Sequence, residues 1–171
     1  AEEYLRVEHP SGLTMLLYPM KGFSTAYAMF STKYGSIDTC VQRGEDADFV
    51  KVPEGIAHYL EHKMFESEEG DAFEKYAQPG ASANAFTSFD KTCYLFACTD
   101  RFQESLEILL DCVTHPYFTK ETVEKEQGII GQEIRMYEDD PGWRVMFNLL
   151  QSLYQNNSVK VDIAGSIESI A

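Results

Sequence analysis

The chain has 171 residues, of which 44% are hydrophobic and 25% are charged. This composition excludes a disordered or fibrous protein and predicts one globular domain that needs neither disulfides nor a metal ion merely to fold. The 28 acidic residues outnumber the 14 basic ones, which gives a formal net charge of −14. Nucleic-acid phosphates and anionic lipids repel such a chain, so we expect no nucleic acid and no membrane among its partners.

The cysteines and the two ends of the sequence lead to two expectations. The four cysteines show no Cys-x-x-Cys pairing, and we interpret them as buried thiols of a cytoplasmic protein; they are Cys40, Cys93, Cys98 and Cys112. The sequence has no initiator Met, and it stops one turn after a helix start predicted at Ser166. We therefore expect residues 1–171 to form a single domain that is truncated at its C-terminus.

Strand patterns open the chain, and helical patterns follow. Three strands are predicted, over residues 4–9, 13–19 and 26–34. Residues 35–53 have no sustained period and predict a surface loop that includes Gly44–Asp48. Residues 54–65 are helical in character. A short helix then begins at its cap, Asp71, and runs through Gln78.

The second half of the chain repeats this alternation. Two strands are predicted over 84–89 and 92–98, and Asp100 with Gln103 resembles a capping box that opens a helix. Two further helices are predicted from Thr119 to about Glu138 and from Pro141 to about Tyr154. Strands followed by interleaved helices predict an α+β fold, a two-layer sandwich in which helices pack on one face of a largely antiparallel sheet.

The sharpest chemical feature is His58-Tyr59-Leu60-Glu61-His62. Residues four apart lie one above the other on a helix, so both imidazoles face the same point, as two ligands of a zinc ion do. Glu61 lies beside them without being a ligand and is placed to act as general base. Two histidines at this spacing can also simply cap or pack a helix.

A catalytic zinc site needs a third protein ligand. Glu133 is a candidate because it lies mid-helix beside Gly128 and Gly131, and two helical glycines suggest close approach by another helix. Glu126 lies seven residues earlier on the same face, where it could orient a histidine. The alternative is that both glutamates are simply solvated residues of an acidic chain.

Together these residues resemble the pitrilysin, or insulinase, family of zinc metallopeptidases, which includes the mitochondrial processing peptidases. Residues 55–65 look like the inverted zinc helix of that family, residues 80–88 with Thr92 and Tyr94 look like its substrate-side hairpin, and residues 126–141 are similar to its distal glutamate helix. The amino-acid sequences of residues 61–65 and 128–133 are most similar to those of a branch of bacterial cytoplasmic homologues.

The resemblance implies a zinc endopeptidase. It implies His58, His62 and Glu133 as zinc ligands, Glu61 as the base that activates water, and Glu126 as a carboxylate that supports a ligand. The cofactor would be Zn²⁺, and the substrate would be an extended peptide.

The resemblance also implies how substrate binds. An extended peptide would pair with the edge strand 83–87, with Asn84 and Ala85 beside the scissile bond. Members of this family carry a second half that closes over the substrate, so a missing C-terminal half or a homologous partner subunit is the expected partner. Without that half, we expect the chain to bind zinc and to be weakly active or inactive.

Two alternatives remain open from the sequence. One is a non-catalytic homologue that binds peptides or serves in assembly, although all four metal and base positions are retained. The other is an enzyme similar to S-ribosylhomocysteine lyase, which also carries His-x-x-Glu-His and completes its zinc site with a cysteine. Cys112 would be that cysteine here.

Overall fold

The computed structural model describes residues 3–42, 44 and 47–171. Within these residues the helices are α1 (Ile56–Lys63), α2 (Ala72–Ala77), α3 (Phe102–Thr114), α4 (Lys120–Glu138) and α5 (Pro141–Leu153), with a short 3-10 helix over Ser158–Lys160. The strands are β1 (Leu5–Glu8), β2 (Thr14–Leu17), β3 (Ala26–Thr32), β4 (Cys40–Gln42), β5 (Phe49–Lys51), β6 (Glu66–Ser67), β7 (Gly70–Asp71), β8 (Ser82–Thr87) and β9 (Thr92–Cys98).

The main sheet has three strands in the order β3-β9-β8, and both of its pairings are antiparallel. The other strands form separate antiparallel hairpins, β1 with β2, β4 with β5 and β6 with β7. β9 lies in the centre of the main sheet. β8 therefore presents an edge that pairs with no strand among the described residues.

One face of this sheet is covered by helices. Tyr94 and Phe96 lie two residues apart on β9, so their side chains point to that same face. They pack with Tyr76 of α2 and Leu109 of α3 in a buried cluster. Helix α3 contacts both β9 and β3, and α2 contacts β8. The predicted α+β sandwich with an antiparallel sheet and helices on one face is confirmed.

A second buried cluster fixes helix α1 against helix α4. Tyr59 of α1 packs with Ile130 and Ile134 of α4 and with Ala164 near the C-terminus. The Tyr59 hydroxyl also donates a hydrogen bond to the carbonyl of Val123 on α4. Helix α1 contacts β8 and β9 as well, so it joins the main sheet to the α4 layer.

Side-chain caps open two of the long helices. The Thr119 hydroxyl accepts a hydrogen bond from the Thr122 backbone, and the Thr122 hydroxyl accepts one from the Thr119 backbone, so a reciprocal capping box opens α4. The Asp140 carboxylate accepts a hydrogen bond from the Trp143 backbone at the start of α5, where Pro141 occupies the first turn.

The predicted loop over residues 35–53 is only partly right. It contains the hairpin of β4 and β5, in which Val41 lies opposite Val50. Each strand has three residues, which is too short for an alternating pattern to stand out from the sequence. Of the predicted segment Gly44–Asp48, Glu45 and Asp46 lie outside the described residues.

The predicted capping box of Asp100 and Gln103 is wrong. The residue that caps α3 is Arg101, which adopts a left-handed backbone with φ of 49° and makes no side-chain cap. The Asp100 carboxylate instead accepts a hydrogen bond from the Arg101 backbone, and Gln103 bonds to Glu107 one turn along the helix. The Asp100 side chain thus bonds to the adjacent backbone amide instead of capping α3.

The explanation offered for the two α4 glycines is also wrong. A Cβ atom at Gly128 would meet nothing within 4 Å, and one at Gly131 would make an ordinary 3.5 Å contact with Ile167. Ile167 belongs to the C-terminal turns rather than to a helix. No helix in the described chain therefore approaches α4 closely at either glycine.

Two smaller expectations are also corrected. All four cysteines are free, as predicted, but Cys40 is exposed and Cys112 is only half-buried. The helix predicted to start at Ser166 is a set of hydrogen-bonded turns over the last residues.

Among the described residues, no helix combines the length and the apolar character that a bilayer crossing needs.

The start of α1 is fixed by a close approach of two backbones. Gly55, with φ of 86°, caps the helix, and a Cβ atom there would lie 2.3 Å from the carbonyl oxygen of Ala164. Gly165, with φ of 77°, approaches Glu54 in the same way, at 2.5 Å from its carbonyl oxygen. Only glycine fits both the space and the backbone conformation at these two positions.

We predict that Gly55→Ala lowers the free energy of unfolding by more than about 2 kcal/mol, because it adds left-handed strain to a backbone clash. Gly128→Ala is the matched control. That glycine is exposed in a helix interior with open space around it, so alanine should raise stability by about 1 kcal/mol. Urea unfolding followed by circular dichroism measures both, and a Gly55→Ala variant as stable as the parent contradicts the prediction.

Candidate metal centre

Helices α1 and α4 bring three of the predicted site residues together. His58 Nε2 lies 3.6 Å from Glu133 Oε1, and His62 Nε2 lies 3.4 Å from Glu133 Oε2. The two imidazole rings meet edge to face with centroids 4.6 Å apart, as expected for positions i and i+4 of one helix. One potential ligand atom from each of the three residues lies within 4.8 Å of the others.

Glu126 holds the second histidine from the other side. Its Oε1 lies 2.8 Å from His62 Nδ1, so the ring is placed between the carboxylates of Glu126 and Glu133. The seven-residue spacing puts both glutamates on the face of α4 that meets α1. Glu126 is 7% exposed, so its bond to His62 is shielded from water.

These contacts shift the protonation of His62. Burial lowers its pKa, but the hydrogen bonds to Glu126 and Glu133 and the charge of Glu61 outweigh burial and raise the pKa to about 9. The partners shift in the opposite sense. The nearby imidazoles of the two histidines hold the pKa of Glu133 far below its usual value, and the hydrogen bond from His62 lowers the pKa of Glu126.

Glu61 faces the same space without joining the cluster. It is 8% exposed, and its Oε2 accepts a 2.7 Å hydrogen bond from the Thr87 hydroxyl at the end of β8. This bond leaves Oε1 for another partner. No spacing in the sequence indicates the contact, because 26 residues separate Thr87 from Glu61.

A set of residues that the sequence analysis did not single out lies behind Glu133. The Tyr137 hydroxyl donates a 2.7 Å hydrogen bond to Glu133 Oε1, and the Tyr137 ring stacks on Trp143. Trp143 Nε1 donates to the carboxylate of Asp162. The four-residue spacing of Glu133 and Tyr137 on one helix could have indicated the first contact, whereas the others depend on the fold.

The cluster opens into a cavity of about 200 Å³. Besides the cluster and Glu61, the residues that line it come from β8, α4, α5 and the C-terminal turns; they are Ala85, Phe86, Thr87, Tyr137, Trp143, Ile163 and Ala164. Of the two predicted substrate residues, Ala85 lines this cavity. Asn84 does not line it, and its side chain accepts a hydrogen bond from the Ala85 backbone.

The cysteine required by the lyase alternative lies elsewhere. Cys112 of α3 packs against the buried cluster beneath the main sheet, and the metal-type cluster found in the described residues does not include it. Burial and then the nearby charge of Asp111 raise the pKa of the Cys112 thiol to about 11, which disfavours the thiolate that binds metal.

The donor set fits a zinc ion. Two imidazole nitrogens and one carboxylate oxygen are ligands that zinc prefers, and three protein ligands are the number that a catalytic zinc site uses. His58 Nδ1 is buried without a hydrogen-bond partner in the described part of the chain, which is a cost to folding.

Comparison with known proteins assigns the family. The family model described as "Insulinase (Peptidase family M16)" matches residues 31–166, which is most of the chain. The chain therefore belongs to the insulinase family of peptidases. The resemblance noted in the sequence is confirmed.

Individual relatives agree with this assignment. The chain is 53% identical over 162 residues to an uncharacterized zinc protease of Bacillus subtilis, YmfH, covering 94% of this chain and 38% of the relative. It matches the crystal structure of an M16-like peptidase from Alicyclobacillus acidocaldarius with a TM-score of 0.93 and 43% identity, covering 98% of this chain and 39% of the other. The chain thus spans well under half the length of these relatives.

A more distant structure shares the fold alone. A peptidase M16 inactive domain from Pseudomonas fluorescens matches 98% of this chain and 40% of its own with a TM-score of 0.81, at 14% identity. One fold thus includes named zinc proteases and a domain named inactive. The fold alone therefore does not determine the function of this chain, which depends on the residues of its site.

We predict that the metal-free chain loses stability as the pH rises from 6.5 to about 9. The pKa of His62 is higher in the folded chain, so its contribution is complete below the ordinary value of 6.5 and disappears as pH passes the folded value of about 9. Urea midpoints measured with a chelator at each pH test this. In His62→Gln the fall over that interval should be absent, and an equal fall in parent and variant contradicts the prediction.

Proposed function

We propose that this chain is the metal-bearing domain of a zinc-dependent endopeptidase that hydrolyses extended peptides through its inverted His-x-x-Glu-His helix. The observation that supports this most directly is the convergence of His58, His62 and Glu133 within 4.8 Å, beside the Glu61 carboxylate. The zinc protease names of its relatives support the same reaction class.

In this proposal each residue of the cluster has a separate task. His58, His62 and Glu133 would hold the zinc ion, and Glu126 would orient the His62 ring through its Nδ1 proton so that Nε2 faces the metal. Zinc, when bound, supplies a Lewis acid that polarises the scissile carbonyl and favours deprotonation of water.

Glu61 is the proposed general base. The Thr87 bond occupies Oε2, which directs the free oxygen, Oε1, to take the proton of the attacking water. The same carboxyl group would then return a proton to the leaving amine nitrogen. Because Glu61 is nearly buried, bulk water competes little for its oxygens.

The edge of β8 is the proposed peptide-binding strand. Its outer edge pairs with no strand in the described chain, and it runs past the cavity at Ala85 and Thr87. Backbone pairing there would hold a peptide of any sequence in extended form. Asn84, beside Ala85, is proposed to contact the peptide next to the scissile bond.

We further propose that residues 1–171 are a single domain of a longer protein, truncated at its C-terminus. The chain spans 38% of the Bacillus relative, so most of such a protein would lie outside it. A C-terminal half or a homologous partner subunit would cover the cavity, and the isolated chain would then be weakly active or inactive. The free cysteines support the proposed cytoplasmic location.

The second candidate function is a non-catalytic, peptide-binding or assembly role. This candidate is considered because the chain shares its fold with a domain named inactive. Against it, the zinc-type donor set and Glu61 are all present here. Zinc content and cleavage, measured separately, distinguish the two functions.

We predict that the purified, metal-replete chain holds about one zinc ion, because its donor set is that of a catalytic zinc site. His58→Ala and Glu133→Gln should each lose most of this zinc, as measured by inductively coupled plasma mass spectrometry. Glu124→Gln is the matched control, since Glu124 is an exposed glutamate of α4 that pairs with Lys120.

The zinc experiment also decides between the enzyme classes. A parent chain without zinc under these conditions contradicts the peptidase proposal. If Cys112→Ser alone abolishes zinc binding, the site is that of the lyase alternative.

We predict that Glu61→Gln keeps its zinc but loses cleavage by at least about 100-fold, because the amide cannot accept the proton. The assay is hydrolysis of a fluorogenic peptide by the protein with its C-terminal portion restored. Glu68→Gln, an exposed glutamate beyond the end of α1, should leave the rate unchanged. Cleavage by Glu61→Gln at the parent rate would remove Glu61 from the mechanism, and a zinc-loaded parent that cleaves nothing favours the non-catalytic role.

A further inference from the structure

We propose that Tyr137 is a positioning residue of the metal centre, whose hydroxyl holds the Glu133 carboxylate in the orientation in which it binds the metal. This inference rests on the proposed zinc site and deepens it. Tyr137 lies one turn after Glu133 on α4, and its hydroxyl donates a 2.7 Å hydrogen bond to Oε1. A glutamate side chain is otherwise free to rotate about several bonds, and a bond to one oxygen fixes the plane of the carboxylate.

The two oxygens of Glu133 are thereby made unequal. Oε1 accepts the Tyr137 hydroxyl and lies 3.6 Å from His58 Nε2, whereas Oε2 accepts no tyrosine and lies 3.4 Å from His62 Nε2. A hydrogen bond to a charged oxygen is stronger than one between neutral groups, so this one can hold the carboxylate against rotation. The bond thus holds the carboxylate in an orientation in which each of its oxygens lies within 3.6 Å of a histidine Nε2.

Tyr137 is itself held in place by two other parts of the chain. Its ring stacks on Trp143 of α5 with centroids 4.5 Å apart and an angle of 16° between the planes. Trp143 donates its indole proton to Asp162, and the other carboxylate oxygen of Asp162 accepts a 3.0 Å hydrogen bond from the Ala164 backbone. The phenol therefore cannot swing away from Glu133 without breaking this stack.

A purely structural role for Tyr137 predicts something different. Stacking on Trp143 needs only the ring, so phenylalanine would replace tyrosine without effect on the metal. Tyr137 is half-buried and lines the cavity, where water could satisfy its hydroxyl, and yet the hydroxyl bonds to a carboxylate of the cluster. The hydroxyl group is thus the part of the side chain to remove.

The test is the affinity of the purified chain for zinc, measured by competition with a chromophoric chelator. Tyr137→Phe should bind zinc about 10-fold more weakly, as expected when a group that orients a ligand is lost. Tyr154→Phe is the matched control, because Tyr154 ends α5 and is exposed. Affinities are compared per folded chain, with the folded fraction taken from circular dichroism.

A spectroscopic measurement separates positioning from stability. Cobalt(II) bound in place of zinc absorbs visible light in bands that depend on the arrangement of its ligands. These bands should shift in Tyr137→Phe and not in Tyr154→Phe. Trp143→Leu removes the ring that stacks on Tyr137 but keeps the Tyr137 hydroxyl. It should shift the cobalt bands in the same direction by a smaller amount.

The outcomes separate this inference from the function on which it rests. If the parent binds zinc while Tyr137→Phe matches it in affinity and in cobalt spectrum, the positioning role is overturned and the zinc site stands. A loss of affinity that the folded fraction alone explains overturns it as well. If the parent takes up neither metal, the proposed function fails, and this inference fails with it.

Discussion

The contact between α1 and α4 is the constraint on which the rest of the site depends. Neither helix carries a complete donor set, since the histidines lie on α1 and the glutamates on α4. Tyr59, packed against Ile130 and Ile134, fixes how far apart and at what rotation the two helices lie. The apolar contact therefore does the positioning, and the polar cluster is a consequence of it. A cluster held in this way can tolerate unfavourable features, such as the His58 Nδ1 that has no hydrogen-bond partner in the described part of the chain.

The site also depends on parts of the chain that are distant in sequence. β8 supplies Thr87 to the Glu61 carboxylate, while α5 and the turns that follow it supply the wall formed by Trp143 and Ile163. The close approach at Gly55 fastens those turns to the start of α1. The sheet, the histidine helix and the C-terminal turns are thus linked around one cavity, although the acidic composition of the chain gives no hint of it.

The sequence predicts what depends on local periodicity and misses what depends on long-range contact. The i, i+4 histidines and the heptad from Glu126 to Glu133 follow from helix geometry, so the spacing alone places them on common faces. The contact of Tyr137 with Glu133 could have been suspected from their spacing, but the stacking of Tyr137 on Trp143 could not, because that contact needs the turn between α4 and α5. The strands β4 and β5 were missed for another reason, because three residues are too few to show the alternation of apolar and polar side chains that predicts a strand.

Helix α4 also fixes the distance between the Glu126 and Glu133 carboxylates. Seven residues along a helix rise by about 10.5 Å and complete nearly two turns, so Glu126 and Glu133 present their carboxylates in line, with one imidazole bridging the interval. Each added or deleted residue would rotate everything beyond it by about 100° and carry one carboxylate away from α1. The number of residues between these two glutamates is therefore fixed by helix geometry if both are to stay in place.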